Sequence, residues 1–217
     1  MCVGGLLKHT VELHQTRIFP DLNQRSLFMN ERPTFSDANF FQSRDMNVGT
    51  GIMKKIVVKK RHSIRKSQAQ DLLARLFDQI GTSAKFFHAE MIEVLETNAD
   101  VSLFMINKKM LLMDTGDWVF PTLKGAIQFP FPDRRVVVDA GAIPYVVNGA
   151  DVMRPGIVSI SDDVKADAPV QIVDERHGKP LAIGIALLNA PDMRARTQGK
   201  MCKNFHYVSD EIWNIEI

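Results

Sequence analysis

The clearest hydrophobic pattern in the chain is "SQAQDLLARLFDQIG", Ser67 to Gly81, where Leu72, Leu73, Leu76, Phe77 and Ile80 recur at helical spacing. The spacing predicts an amphipathic helix with these five residues on its buried face. Ser67 is placed as N-cap with Gln70 completing a capping box, and Gly81 supplies the left-handed position that ends the helix. Downstream, "AEMIEVLET", "VSLFMIN" and "KMLLMDTG" are short apolar runs separated by turn-forming residues, which predicts an antiparallel sheet. Asn107-Lys108-Lys109 reads as a hairpin turn between the second and third runs. In "FPTLKGAIQFPF", Pro121 is placed to open a short helix, and Pro130 and Pro132 to end it.

From Arg134 the pattern changes. "RRVVVDAGAIPYVVNG", "GIVSI", "PVQIVDER", "PLAIGIALLNA" and "FHYVSDEIWNIEI" are short apolar stretches punctuated by Asn148-Gly149 and His177-Gly178. Several short strands with one small helical insert predict a closed or nearly closed β barrel. Residues 1–52 have neither period: isolated phenylalanines, from Phe19 to Phe41, lie among polar residues, and "SRDMNVGTG" ends the segment like a linker. The expected organisation is an N-terminal extension with little structure over 1–52, an α/β unit with an antiparallel sheet over 53–132, and a β pseudo-barrel over 133–217. The fold class is α+β.

Composition changes this picture little, and charge distribution changes it more. Apolar residues make up 45% of the 217 and charged residues 24%, enough for a proper core. The net charge is +2, yet "MKKIVVKKRHSIRK", Met53 to Lys66, holds seven Lys and Arg and no acid. Residues 133–217 are slightly acidic by comparison. Such a run raises the local potential whatever the total charge. Cys2 and Cys202 are the only cysteines, so neither a disulfide framework nor a thiolate metal cluster is expected. No apolar run has the length of a membrane span, and the opening apolar stretch is short for a secretory signal. The expected setting is cytoplasmic, with no membrane partner.

Catalytic patterns are weak. His88-Ala89-Glu90 matches the first half of a zinc-deaminase signature, but the second half is absent. No nucleophile elbow is present. Cys202, His206 and Asp210 are close in sequence, but "CKNFHYVSD" alternates like a strand. Gly141, Gly149 and Gly156 are too widely spaced to wrap one phosphate, so each is expected to serve its own turn. In "NGADVMRPGI" the expected order is a turn, one helical turn begun by Asp151, and an exit at Pro155-Gly156. Val152, Met153 and Ile157 are expected in the core. No catalytic residue, cofactor or metal is expected.

"DAGAIPYVVNGADVMRPGIVS" resembles the first strand and helix of the PUA domain, on Gly141-Ala142-Ile143, Asn148-Gly149-Ala150, Val152-Met153 and Pro155-Gly156-Ile157. "FPTLKGAIQFPF" followed by "VVVDAGAI", together with the ending "HYVSDEIWN", is similar to the translation machinery-associated, malignant T-cell amplified sequence family, in an archaeal-type form. The resemblance covers about residues 53–217. It implies a protein without catalysis that binds structured RNA, tRNA or rRNA, and the small ribosomal subunit, in initiation or recycling, with a density-regulated-type protein as a further partner. The implied contact residues are Asn148, Gly149, Ala150, Asp151 and Arg154. Small residues allow close backbone approach, and a guanidinium can clamp phosphate. Lys54, Lys55, Lys59, Lys60, Arg61, Arg65 and Lys66 are expected to add phosphate contacts. Two other readings remain: an accessory subunit of a tRNA or rRNA modification enzyme, and a protein adaptor for which Trp118 and Phe120 would be an apolar anchor, although their expected place is buried in the interdomain seam.

Overall fold

The computed structural model describes residues 55–215; the expected extension over 1–52, and Lys54, lie outside them. The chain forms two sheets in succession. The first is a five-stranded antiparallel meander of β1 (Val58–Ser63), β2 (Ile92–Thr97), β3 (Ser102–Ile106), β4 (Lys109–Asp114) and β5 (Val119–Pro121), paired in that order. Helix α1 (Lys66–Ile80) and a 3-10 turn (Gly81–Phe87) link β1 to β2, and α2 (Leu123–Gln128) follows β5.

The helix predicted from the Leu pattern is present, with a shifted start. Arg65, not Ser67, is the N-cap, because Gln68 Oε1 reaches back to accept the Arg65 amide at 2.9 Å. Leu72, Leu76 and Ile80 are buried as the period requires, whereas Phe77 is 38% exposed at the margin of the stripe. Gly81 ends the helix with φ of 54°. The β3–β4 hairpin turns on two residues, Asn107 and Lys108, with Ile106 opposite Lys109 and φ values of 50° and 63°. Both central residues at positive φ mark the tight turn whose twist matches that of the strands.

Pro121 closes β5 instead of opening α2. Thr122 is the N-cap: its Oγ1 accepts the Gly125 amide at 3.1 Å and donates to the Met110 carbonyl at 2.8 Å. His88 and Glu90 precede β2 in an irregular segment.

The second sheet has six strands in the order β7 (Val152–Met153), β11 (Lys200–Tyr207), β10 (Pro180–Ala186), β9 (Pro169–Asp174), β6 (Arg135–Val138) and β8 (Ile157–Ile160). β6 and β9 run parallel, and the other neighbours antiparallel. The two outermost strands, β7 and β8, are consecutive in the chain, joined only by the 3-10 turn Arg154–Gly156. A sheet whose opposite edges are three residues apart must curl round on itself, which gives the nearly closed barrel. Its interior is filled by Val136, Val138, Ile172, Ala182, Met201 and Cys202, among others. The closing strand begins earlier than the pattern suggested, at Lys200, and Val208–Asn214 form turns instead of continuing it. A short helix α4 (Ala190–Ala195) precedes it.

The two sheets share a core. Ile183 of β10 and Ile212 join the apolar cluster of the first sheet, with Phe205 and Trp213 packed against it. Trp118 meets Phe205 edge-on at 5.4 Å, and Phe120 meets Phe131 in the same way at 5.7 Å. Both Trp118 and Phe120 are buried, so neither is an exposed adaptor anchor. Side chains also bind the connecting segment: Gln171 Nε2 donates to the carbonyls of Phe131 at 2.9 Å and Asp133 at 2.6 Å. Arg134 Nε donates to the Gln79 carbonyl at 3.0 Å, and burial lowers the Arg134 pKa despite Asp163 and Asp133 nearby.

Helix α2 lies against β4 so closely that a Cβ on Gly125 would stand 2.1 Å from the Leu111 carbonyl oxygen. Gly125→Ala is therefore expected to lose at least ~2 kcal/mol of unfolding free energy through overpacking. Urea denaturation checks this; wild-type stability would show that α2 can lift off β4 without cost.

Candidate nucleic-acid surface

Helix α3 (Ile143–Val146) follows β6 and is fixed at both ends. Asp139 Oδ1 accepts the Ala142 amide at 2.8 Å, and Asn148 Nδ2 donates to the Pro144 carbonyl at 2.7 Å. The helical turn thus precedes Asn148-Gly149, where the sequence suggested it would follow. Asp151 is consequently not a helix N-cap; it leads into strand β7.

Gly149 has φ of 88°, and a Cβ there would lie 2.6 Å from the Tyr207 ring. The space above this glycine is filled by the protein's own β11. Gly156 has a parallel reason, since a Cβ would come within 2.9 Å of Ala142 Cβ. Val152 and Ile157 are buried as expected, but Met153 is 49% exposed, because β7 is an edge strand with one side turned outward.

Asp151 is a paired charge. Its carboxylate accepts the Asn204 amide at 2.8 Å and meets Lys200 Nζ at 2.5 Å. Burial pushes its pKa up, but the Lys200 hydrogen bond, the Asn204 amide and the charges of Lys200 and Lys203 outweigh that and hold it below the ordinary carboxylate range. Arg154 is also internally engaged: Nε donates to the Arg196 carbonyl and Nη1 to the Ile157 carbonyl, each at 3.0 Å. Its backbone amide donates to Gly199 at 2.8 Å. Arg154 closes the barrel seam, with two of its donors committed there.

Of the five residues expected around this turn, Asn148 and Ala150 are exposed, while Gly149, Asp151 and Arg154 have structural tasks. The sequence reading missed their neighbours. Tyr145, on α3, is 68% exposed. Lys200 pairs with Met153 across β11–β7, and Lys203 lies near enough to Asp151 to influence its charge; both lysines are exposed, as is Arg196. The signal was the alternation of lysine with apolar residues in "KMCKNF", visible only as a strand pattern until β11 is laid beside β7.

The basic run forms edge strand β1 and the start of α1. Lys59, Lys60, Arg61, Arg65 and Lys66 are all exposed. Arg61 is held by a fork to Glu93, at 3.1 and 3.0 Å. Arg65 and Lys66 stand at the positive end of the α1 dipole with no acid in the first turn, an arrangement that opposes helix stability by roughly 0.3–1 kcal/mol per charge.

Catalytic alternatives gain no support. Cys202 is fully buried, and burial, followed by the charge of Asp151, pushes its thiol pKa up to about 12, so it carries no thiolate at neutral pH. Asp210 Oδ2 accepts from His206 Nδ1 at 2.7 Å and from the Tyr207 amide at 3.0 Å, while Oδ1 accepts the Trp213 amide at 2.7 Å. The pair organises the turn after β11. His88 and Glu90 belong to no cluster of metal-ligating side chains among the described residues.

A carboxylate whose pKa is lowered on folding stabilises the protein above its unfolded pKa, and that stability disappears as pH falls through the folded value. Asp151→Asn is therefore expected to destabilise at neutral pH, with the gap to wild type closing in acid below the usual carboxylate range. Urea midpoints against pH test this; a gap independent of pH would mean that the Lys200 pair is not its source.

Comparison with known proteins fits this geometry. Residues 134–208 match the PUA domain. An uncharacterized protein of Methanocaldococcus jannaschii is 43% identical over 126 residues, covering 58% of this chain and 76% of that one. Translation machinery-associated protein 20 of Schizosaccharomyces pombe is 32% identical over 116 residues, 51% of this chain and 64% of that one. A crystal structure of a hypothetical protein from Pyrococcus horikoshii superposes with a TM-score of 0.65 at 33% identity, covering 71% of this chain and 98% of that one. With the barrel, the meander before it and the matched sequence in agreement, the chain belongs to the PUA-domain family of translation machinery-associated and malignant T-cell-amplified sequence proteins.

Proposed function

We propose that this protein is a non-catalytic RNA-binding factor of translation that holds structured RNA, in the small ribosomal subunit or in tRNA. The observation that carries this reading is the set of exposed groups on elements that meet at the barrel seam: Tyr145 on α3, Asn148 after it, Lys200 and Lys203 on β11, and Arg196 in the segment before β11, whose carbonyl accepts from Arg154. Sequence-tolerant recognition of unpaired bases uses an aromatic platform, and lysine and arginine position the backbone by its phosphates. The Asp151–Lys200 pair, at 2.5 Å, is neutral as a unit, so Asp151 does not oppose this and the phosphate contacts fall mainly to Lys203 and Arg196. Arg154 acts by holding the seam that presents these groups.

Lys59 and Lys60 supply a second set of phosphate contacts, with Arg65 and Lys66. Cations left beside a positive helix terminus gain more from a polyanion than cations already paired, which ranks Arg65 and Lys66 above Arg61 in this role.

Filter binding or co-sedimentation with isolated small subunits and with tRNA, at two salt concentrations, tests the reading. Tyr145→Ala is expected to weaken binding roughly tenfold through lost stacking, with thermal stability retained. Lys59→Glu with Lys60→Glu is expected to weaken binding across all RNA sequences and flatten the salt dependence. Wild-type affinity in both variants, or no binding to either RNA by the wild type, would overturn the proposal.

A further inference from the structure

A second surface lies on the first sheet, formed by elements separate from the barrel seam. The β3–β4 turn, α2 and the segment after β11 enclose a groove of about 690 Å³ lined by Lys108, Lys109, Met110, Lys124, Ile127, Gln128, Trp213 and Ile215. Its floor is apolar: Met110, Trp213, Ile215 and Ile127, which is 37% exposed on a helix otherwise packed against the sheet. Its rim is cationic, with three lysines and no acid among the described residues that line it.

Two of the lysines are held in place. Lys124 Nζ donates to the Trp213 carbonyl at 2.6 Å and stands 5.0 Å from the centre of the Trp213 ring. Lys109 Nζ donates to Gln128 Oε1 at 3.0 Å. The third, Lys108, carries the independent observation. It occupies the second central position of the tight turn at φ 63°, where glycine is relaxed and a lysine is strained. The fold thus accepts a local penalty to keep a cation at the mouth of the groove.

We propose that this groove docks a protein segment bearing large apolar side chains flanked by Asp or Glu. The charge complementarity is one-sided: among the described residues that line the groove, three cations and no anion select an acidic partner and reject a basic one. The floor favours a peptide over RNA, because Met110, Ile127 and Ile215 offer apolar contact to a side chain, and Trp213, the one aromatic among the described residues that line it, has Lys124 Nζ standing over its ring at 5.0 Å. Trp213, already oriented by Lys124, is the aromatic anchor of the site. This docking is independent of RNA binding at the barrel seam.

The test is a selection of short random peptides displayed on phage against the full chain, with Lys108→Glu plus Lys109→Glu as counter-target, followed by titration of the selected peptide. The expected consensus pairs acidic residues with Leu, Phe or Trp, binding weakens about tenfold on the charge-reversed variant, and the Trp213 indole resonance shifts. Lys108→Gly separates the site from the scaffold: it is expected to raise the melting temperature, by relaxing the turn, and to weaken the peptide about fivefold. A consensus without acids, unchanged binding by Lys108→Gly, or an oligouridylate that moves the Trp213 resonance where the peptide does not, would overturn the proposal.

Discussion

The closure of the second sheet at Arg154 is the constraint on which the rest of the candidate RNA surface depends. β7 and β8 are the two edges of a six-stranded sheet, yet only Arg154, Pro155 and Gly156 separate them in the chain. Arg154 spans that gap by donating to carbonyls on both sides, Ile157 following it and Arg196 in the segment before β11. With the seam shut, β11 lies along β7, and this pairing brings Lys200 to Asp151. Gly149 completes the arrangement by leaving room for the Tyr207 ring. An arginine that closes a barrel and an arginine that clamps a phosphate carry the same sequence signature; only the direction of the guanidinium separates them.

The shared core explains why the two sheets are not independent in packing. β10 and the turns after β11 lend Ile183 and Ile212 to the apolar cluster of the first sheet, and Trp118 and Phe205 meet across the boundary. The polar ties are equally specific: Lys124 to Trp213, Ile56 to Glu211 at 2.9 Å, and Arg134 to Gln79. Each joins an element before residue 132 to one after it. Movement of the barrel against the meander would break several of these together.

Long periodic signals were legible in the sequence and local hydrogen-bond competition was not. The Leu pattern of α1 and the short apolar strands follow from periodicity, whereas the PUA domain was legible through the resemblance of residues 139–159 to that family and not through glycine spacing. The start of α1 depended on which glutamine reaches back to a free amide: Gln68 accepts the Arg65 amide, in place of the predicted Gln70 with Ser67. Pro121 suits either a helix start or a strand end; the Thr122 hydroxyl, bonding both to Gly125 and to Met110, selects the strand. Asp151 reads as a helix cap in the sequence because its partners, Lys200 and Asn204, are remote in the chain. Tyr145 lies inside the apolar stretch "RRVVVDAGAIPYVVNG", read as strand, where nothing singles it out. A helix of only four residues has no fully buried face, and the ring was left outside.

Strand β1 ends the first sheet, and among the described residues no strand pairs with its outer edge. Such an edge offers unpaired amides and carbonyls to any other extended chain, and lysines along it are a recognised guard against aggregation. Lys59 and Lys60 therefore sit where cationic charge also keeps copies of the protein apart. Reversal to glutamate preserves that mutual repulsion, whereas neutralisation to alanine removes it and exposes the edge to self-association.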